Sequence, residues 1–285
     1  MTQVSSTRTG GGLLARARGD WIVAIACVVV LIYLVIAVGA RWLMPYDPDA
    51  QQLQEILQPP SFAHPLGTDG YGRDELSRLF LAIRSSVLIG VIVAAVSSFF
   101  GLVLALVSGY LGGVVDFVIS RIIDVGLAFP TLVLSLALIS AIGVGAKGTV
   151  IALILGFIPF TARVLRSAVL SLRQEAYIES ARVTGVHPVK IVLRHVLPNL
   201  VGTTTVQTTM VFAYAILGEA GLSYVGLGVQ PPTPSLGNMI AAGQTQILEV
   251  PRLTVVPGTT AAIIIMALLL IGDALRDASD PLTVR

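Results

Sequence analysis

The sequence predicts an all-α membrane protein with six transmembrane helices, and three observations carry that expectation. Apolar residues make up 55% of the 285 residues, and charged residues only 12%. A soluble domain carries about twice that charged fraction, because its surface faces water; at a mean hydropathy of +0.87, this surface faces lipid. The apolar residues also gather in uncharged runs. At 1.5 Å per residue, about 20 of them cross a hydrocarbon core of ~30 Å.

Trp21 to Ala40 is uncharged throughout and forms the first span. Arg16 and Arg18 precede it and Ala37-Val38-Gly39 faintly resembles a cleavage site, but the run exceeds a signal-peptide core of about 7–15 residues, so a retained helix is expected. The second span runs from Ser86 to Ser108, ending at Gly109, and the third from Phe117 to Ile142 with Pro130 inside it. Gly148 to Leu165, with Pro159, is the fourth; Leu200 to Leu217 is the fifth and Leu253 to Ile271 the sixth. Prolines are tolerated in membrane helices, where neighbours satisfy the freed carbonyls.

Lys and Arg placement sets the orientation. With the N-terminus inside, 12 basic residues fall on the inner side and 6 on the outer, so both termini are expected in the cytoplasm. The chain divides into a tail at 1–18, expected to be disordered, a first helix with its outer loop at 19–78, and a core at 79–285. The outer loop, 44–78, carries turn residues at Pro45, Pro48, Pro59-Pro60, Gly67, Gly70 and Gly72. A net charge of +2, with basic residues not interleaved with aromatics, gives no sign of nucleic-acid binding. The single cysteine, Cys27, lies in an apolar run and reads as a small lipid- or helix-facing residue.

The longest inner loop, 166–199, carries the clearest signal. Glu175 to Gly185 reads as an amphipathic helix ended by a glycine suited to a left-handed C-terminal cap. His187-Pro188 then starts a second short helix, which continues through Lys190 and Arg194 to Leu197-Pro198. Helix, glycine turn and helix, tied at both ends to spans, make a rigid knuckle suited to docking in a groove on another protein.

Glu179-Ser180-Ala181, then Gly185 after three residues, then Leu197-Pro198, resembles the E-A-A-x-x-x-G-x9-I-x-L-P signature of ABC importer permeases. Ser180 replaces the middle alanine, and His195 stands where the general pattern has isoleucine; Arg194 to Asn199 is instead similar to the peptide-permease branch. His64 to Asp74 with Ser77-Arg78 resembles the outer-loop signature of the dipeptide/oligopeptide "C" permeases, as do Gly221 to Ser235 and Gly272 to Asp277. That group has a glycine near the position of Ala82.

The resemblance implies a type I ABC importer permease with a cytoplasmic coupling helix, multi-pass in a bacterial plasma (inner) membrane. It implies a second homologous permease subunit, two cytoplasmic ATP-binding subunits and an extracytoplasmic substrate-binding protein as partners. Gly185 would supply the turn of the coupling element, Glu179 and Arg182 its polar contacts, and Ala181 the close approach, with Ser180, His195, Leu197 and Pro198 completing the motif. ATP and Mg would belong to the partners, with no cofactor on this chain. Peptide is the expected cargo; nickel-chelate and glycoside importers use similar permeases.

Other residues leave two readings open. Glu179 by itself reads as a solvated helix residue pairing with Arg182 or Arg173. Asp116, Arg121 and Asp124 lie at the inner edge of the third span; Arg121 and Asp124, three apart, pair structurally on one helix face or serve in gating. Glu219, about 28 Å along its helix, lines an outer gate or is solvated. His187 and His195 lack a ligand partner at metal spacing, and His64 reads as a plain turn residue. The rival class, an ion-coupled transporter or intramembrane enzyme, needs deep carboxylates or a nucleophile or zinc motif. The chain has no G-x-S-x-G, no H-E-x-x-H and no phosphate loop; Lys147 lacks that frame. No catalytic residue and no metal site is expected.

Overall fold

The computed structural model describes residues 12–279. Among them are five helices long and apolar enough to cross a membrane. These are α1 (Gly12–Leu43), α2 (Glu75–Leu111), α5 (Ala146–Arg173), α8 (Leu197–Tyr224) and α10 (Arg252–Ser279). Shorter helices are α3 (Gly113–Leu127), α4 (Thr131–Ile142), α6 (Ala176–Val183), α7 (Pro188–Ile191) and α9 (Leu236–Gln244). The sixth span is present only if α3 and α4 count as one broken crossing, since they meet at 91°.

That break corrects the straight third span expected through Pro130. Pro130 has no N–H to donate and forces its predecessor from the helical region, so the helix ends at Leu127 and restarts after an extended Pro130 (φ −54°, ψ 134°). Neither half alone crosses the bilayer, at about 22 and 18 Å. Their contacts with α5 show the geometry. Asp116 bonds Arg166, Asp124 pairs with Arg163 and Gly126 packs on Pro159, so most of α3 meets little more than two turns of α5 and lies across it. Gly156 then meets Thr131, and Ser135 Oγ donates to Ala152 O, so α4 climbs antiparallel to α5.

The other spans are longer than expected. α2 begins at Glu75 and reaches about 55 Å. It therefore takes in Arg78 and Arg84, which the sequence placed on the outer side of the first crossing. Arg84 Nη1 donates to Ala37 O of α1 at 2.7 Å, and Arg78, 6% exposed, donates to Pro48 O at 3.0 Å. The tail expected to be disordered at 1–18 also divides. Residues 1–11 lie outside the described residues, and residues 12–18 form the first turns of α1. Extending an existing helix through Leu13, Leu14, Ala15 and Ala17 adds a hydrogen bond per residue without a new nucleation cost.

Packing follows small residues, as expected where lipid gives helices no hydrophobic drive to associate. Ala26, Tyr33, Ala37 and Ala40 form the buried face of α1, and Tyr33 donates to Thr260 O of α10. A Cβ at Gly101 would lie 2.7 Å from Thr161, so this glycine lets α2 and α5 touch.

The outer loop folds over the ends of α2 and α10. Asp74 caps α2, accepting from Ser77 N at 2.8 Å and Ser77 Oγ at 2.7 Å. His64 is no plain turn residue: Nδ1 bonds Asp74 at 2.9 Å and Nε2 bonds Glu55 at 3.2 Å. Arg252 donates to Gln58 O at 2.6 Å, tying the loop to α10.

Candidate functional site

The knuckle lies between α5 and α8 and its shape follows from local sequence. α6 ends in a paired cap: Val186 N bonds Ala181 O and Gly185 N bonds Arg182 O, both at 3.1 Å. This geometry requires Gly185 to sit at φ +79°, the left-handed region where a Cβ is strained. Pro188 opens α7 at its first helical position. A π turn at Val192–Val196 then leads without a break into α8, so the fifth span, expected from Leu200, already begins at Leu197. Pro198 lacks the N–H that would bond Arg194, and its ring crowds that carbonyl; widening the turn relieves both.

Buried side chains hold the knuckle to the spans. Ile178, Ile191 and Val196 are fully buried with Leu165 and Val169 of α5, Ala105 and Tyr110 of α2, and Leu200 of α8. Ala181 packs at the edge of this cluster. The opposite side is open: Glu179, Ser180 and Arg182 are exposed, with Val183 (83%) and Val189 and Leu193 beside them. Tyr177 lies beside His195 with the rings tilted by 57° and 6.4 Å between their centres, and Asn199 donates to His195 O. Leu197 is half-buried and Pro198 exposed at the start of α8.

Glu179 makes no ion pair among the described residues, because its two expected partners are engaged. Arg182 lies 5.6 Å from the Tyr110 ring centre and Arg173 donates to Gly109 O. The result is a rigid surface carrying an unpaired carboxylate and exposed valines. Those features suit insertion into a complementary groove, since exposed apolar patches mark interaction surfaces.

The charges expected at the inner edge form a lock between α3 and α5. Asp116 accepts two bonds from Arg166, at 2.7 and 2.6 Å, a bidentate pairing. Arg121 pairs with Asp124 at 3.6 Å, as their spacing suggested, and Asp124 also receives Arg163. Arg163 and Arg166 were missed as partners, since nothing local links residues about 40 and 50 positions apart.

Glu219 is fully buried, which rules out the solvated reading. Ser86 Oγ of α2 donates to one carboxyl oxygen and Ser223 Oγ to the other, both at 2.6 Å. Ser223 Oγ accepts from Val229 N and Ser86 Oγ from Leu236 N, leaving each hydroxyl proton for Glu219. The carboxylate thus ties the 225–235 segment to α2 and α8. Its burial could have been suspected from an intramembrane carboxylate's need for donors.

Comparison with known proteins decides what this arrangement belongs to. Residues 86–285 match the family model described as the binding-protein-dependent transport system inner membrane component, and residues 15–60 match the N-terminal TM domain of oligopeptide transport permease C. The chain belongs to this permease family. A Brucella suis chain named as a peptide transport system permease protein is 36% identical over 257 residues, 90% of this chain and 86% of that one. The glutathione transport system permease protein GsiD of Escherichia coli is 38% identical over 267 residues, 93% of this chain and 88% of that one. A solved chain of the MetNI methionine ABC transporter in inward-facing conformations superposes with a TM-score of 0.53 at 22% identity, covering 71% of this chain and 97% of that one. That likeness shows the type I importer fold. The permease is therefore a transport subunit of the ABC importer class, a multi-pass inner-membrane protein and not an enzyme.

Proposed function

We propose that this permease imports di- and oligopeptides, forming the translocation path with a second homologous permease chain. Two cytoplasmic ATPases drive it by pressing on the α6–Gly185–α7 knuckle, and an extracytoplasmic binding protein delivers the cargo. The observation that carries this reading is the knuckle itself, anchored on buried Ile178 and Ile191 and presenting unpaired Glu179 and exposed Val183. The names of the Brucella and Escherichia relatives support peptide cargo. ATP and Mg are held by the partners. The test is uptake of labelled tripeptide by vesicles holding this chain, a second permease, the ATPases and a binding protein. Uptake requires ATP and survives collapse of the proton gradient. Uptake of a nickel chelate in place of peptide overturns the cargo, and proton-driven uptake without ATPases overturns the mechanism.

Rigorously purified chain alone is expected to hydrolyse no ATP, which a phosphate-release assay checks.

We propose that both termini lie in the cytoplasm, as the Lys and Arg placement suggests. Ser61 and Ser171 are exposed, so cysteines there in a Cys27→Ala background report sidedness. A membrane-impermeant thiol label is expected to reach position 61 from outside intact cells and not position 171. The reverse pattern overturns the topology.

A further inference from the structure

A cavity of about 750 Å³ lies on the outer side between the 69–73 turn, the first turn of α2 and α9. Its size falls within the ~300–1,000 Å³ typical of small-molecule sites. It exceeds what one side chain inserted from a partner protein would fill.

Most of its charged lining is already committed. Asp69 accepts from Tyr71 N, Arg73 N and the Arg73 side chain. Arg73 is held by that pair, and Arg78 by Pro48 O, Asp49 and Asp69. Glu75 differs. It is 3% exposed, lines the cavity, and has no hydrogen bond or ion pair to its carboxylate among the described residues. Arg78, Arg252 and Arg73, and the opposing Asp69, act on it only at longer range. Burying an anion without a bonded partner is unfavourable, and a ligand cation seated beside it offsets part of that cost. The rim adds the neutral side chains of Tyr71 and Gln246.

We propose that this cavity binds a small solute carrying a primary ammonium group, with Glu75 as its counter-ion. Such a site faces the extracytoplasmic side in the proposed topology and would exist whatever cargo the transporter imports.

The test uses the assembled transporter in nanodiscs with Cys27→Ala and Ala242→Cys, since Ala242 lines the cavity and is exposed. Modification of this chain by cationic and anionic methanethiosulfonates is followed by mass spectrometry. Millimolar alanylalanine, its C-terminal amide or its N-acetyl derivative is then added. The cationic reagent is expected to react faster. Alanylalanine and its amide, which keep the ammonium, slow the reaction, whereas the N-acetyl form does not. Glu75→Gln lowers the cationic preference roughly tenfold and removes the protection. Equal protection by the N-acetyl form, no protection by any of the three, or protection unchanged in Glu75→Gln overturns the proposal. The three-peptide comparison with Glu75 intact stands even where Glu75→Gln fails to assemble.

Discussion

Replacing Gly185 with valine is expected to abolish transport while the chain remains in the membrane at its normal level. The reason is conformational, because no atom lies within 4 Å of a Cβ added there. At φ +79° a β-branched residue is strained by about 1–3 kcal/mol. Relieving that strain breaks the Val186-to-Ala181 and Gly185-to-Arg182 bonds that set the angle between α6 and α7. The knuckle then presents Glu179 and Val183 in the wrong direction, although the spans are untouched. Gly185→Asn separates conformation from bulk, since asparagine visits the left-handed region more readily, and it is expected to retain most uptake. Uptake by each variant at matched membrane levels is the measurement. Equal loss in both would show that glycine is needed for a reason other than backbone freedom.

Glu219→Leu is expected to give the largest loss of stability. It deprives Ser86 and Ser223 of their shared acceptor, leaving two buried hydroxyls at about 1–3 kcal/mol each. Val229 N and Leu236 N still reach those hydroxyls, so the damage centres on the 225–235 segment that the network holds. Detergent-solubilised protein should melt at lower temperature, and added protease should cut faster within that segment. Glu219→Gln keeps one acceptor and is expected to fall between the two. Unchanged melting in Glu219→Leu would mean that the network contributes little.

Features made by neighbouring residues were legible in the sequence. Glu175, Gly185 and Pro188 announce a helix, a left-handed turn and a second helix start, and the structure has all three. The apolar runs likewise located the five long helices, because span length depends on composition, although these helices extend past the expected bounds. Pro130 shows where legibility stopped. A proline in an apolar run either bends a membrane helix or ends it, and Pro159 remains inside α5 while Pro130 breaks its span. The choice rests on tertiary packing, including the Asp116–Arg166 and Asp124–Arg163 pairs that hold α3 across α5. The partner of Glu219 on α2 was unreadable for the same reason, since Ser86 lies 133 residues away. His64 looked like a turn residue because its partners, Glu55 and Asp74, meet it only once the outer loop closes.

In the proposed mechanism, ATPase motion enters this permease through the knuckle. Glu179→Lys tests that most directly, because Glu179 is exposed, makes no ion pair among the described residues, and lies outside the spans. Charge reversal at a docked surface creates like-charge contact that costs several kcal/mol if its groove is basic. The measurement is ATPase copurification together with peptide uptake at matched membrane levels. Glu179→Lys is expected to insert normally, lose its ATPase partner and import no peptide. Normal uptake with the ATPase still bound would contradict that mechanism.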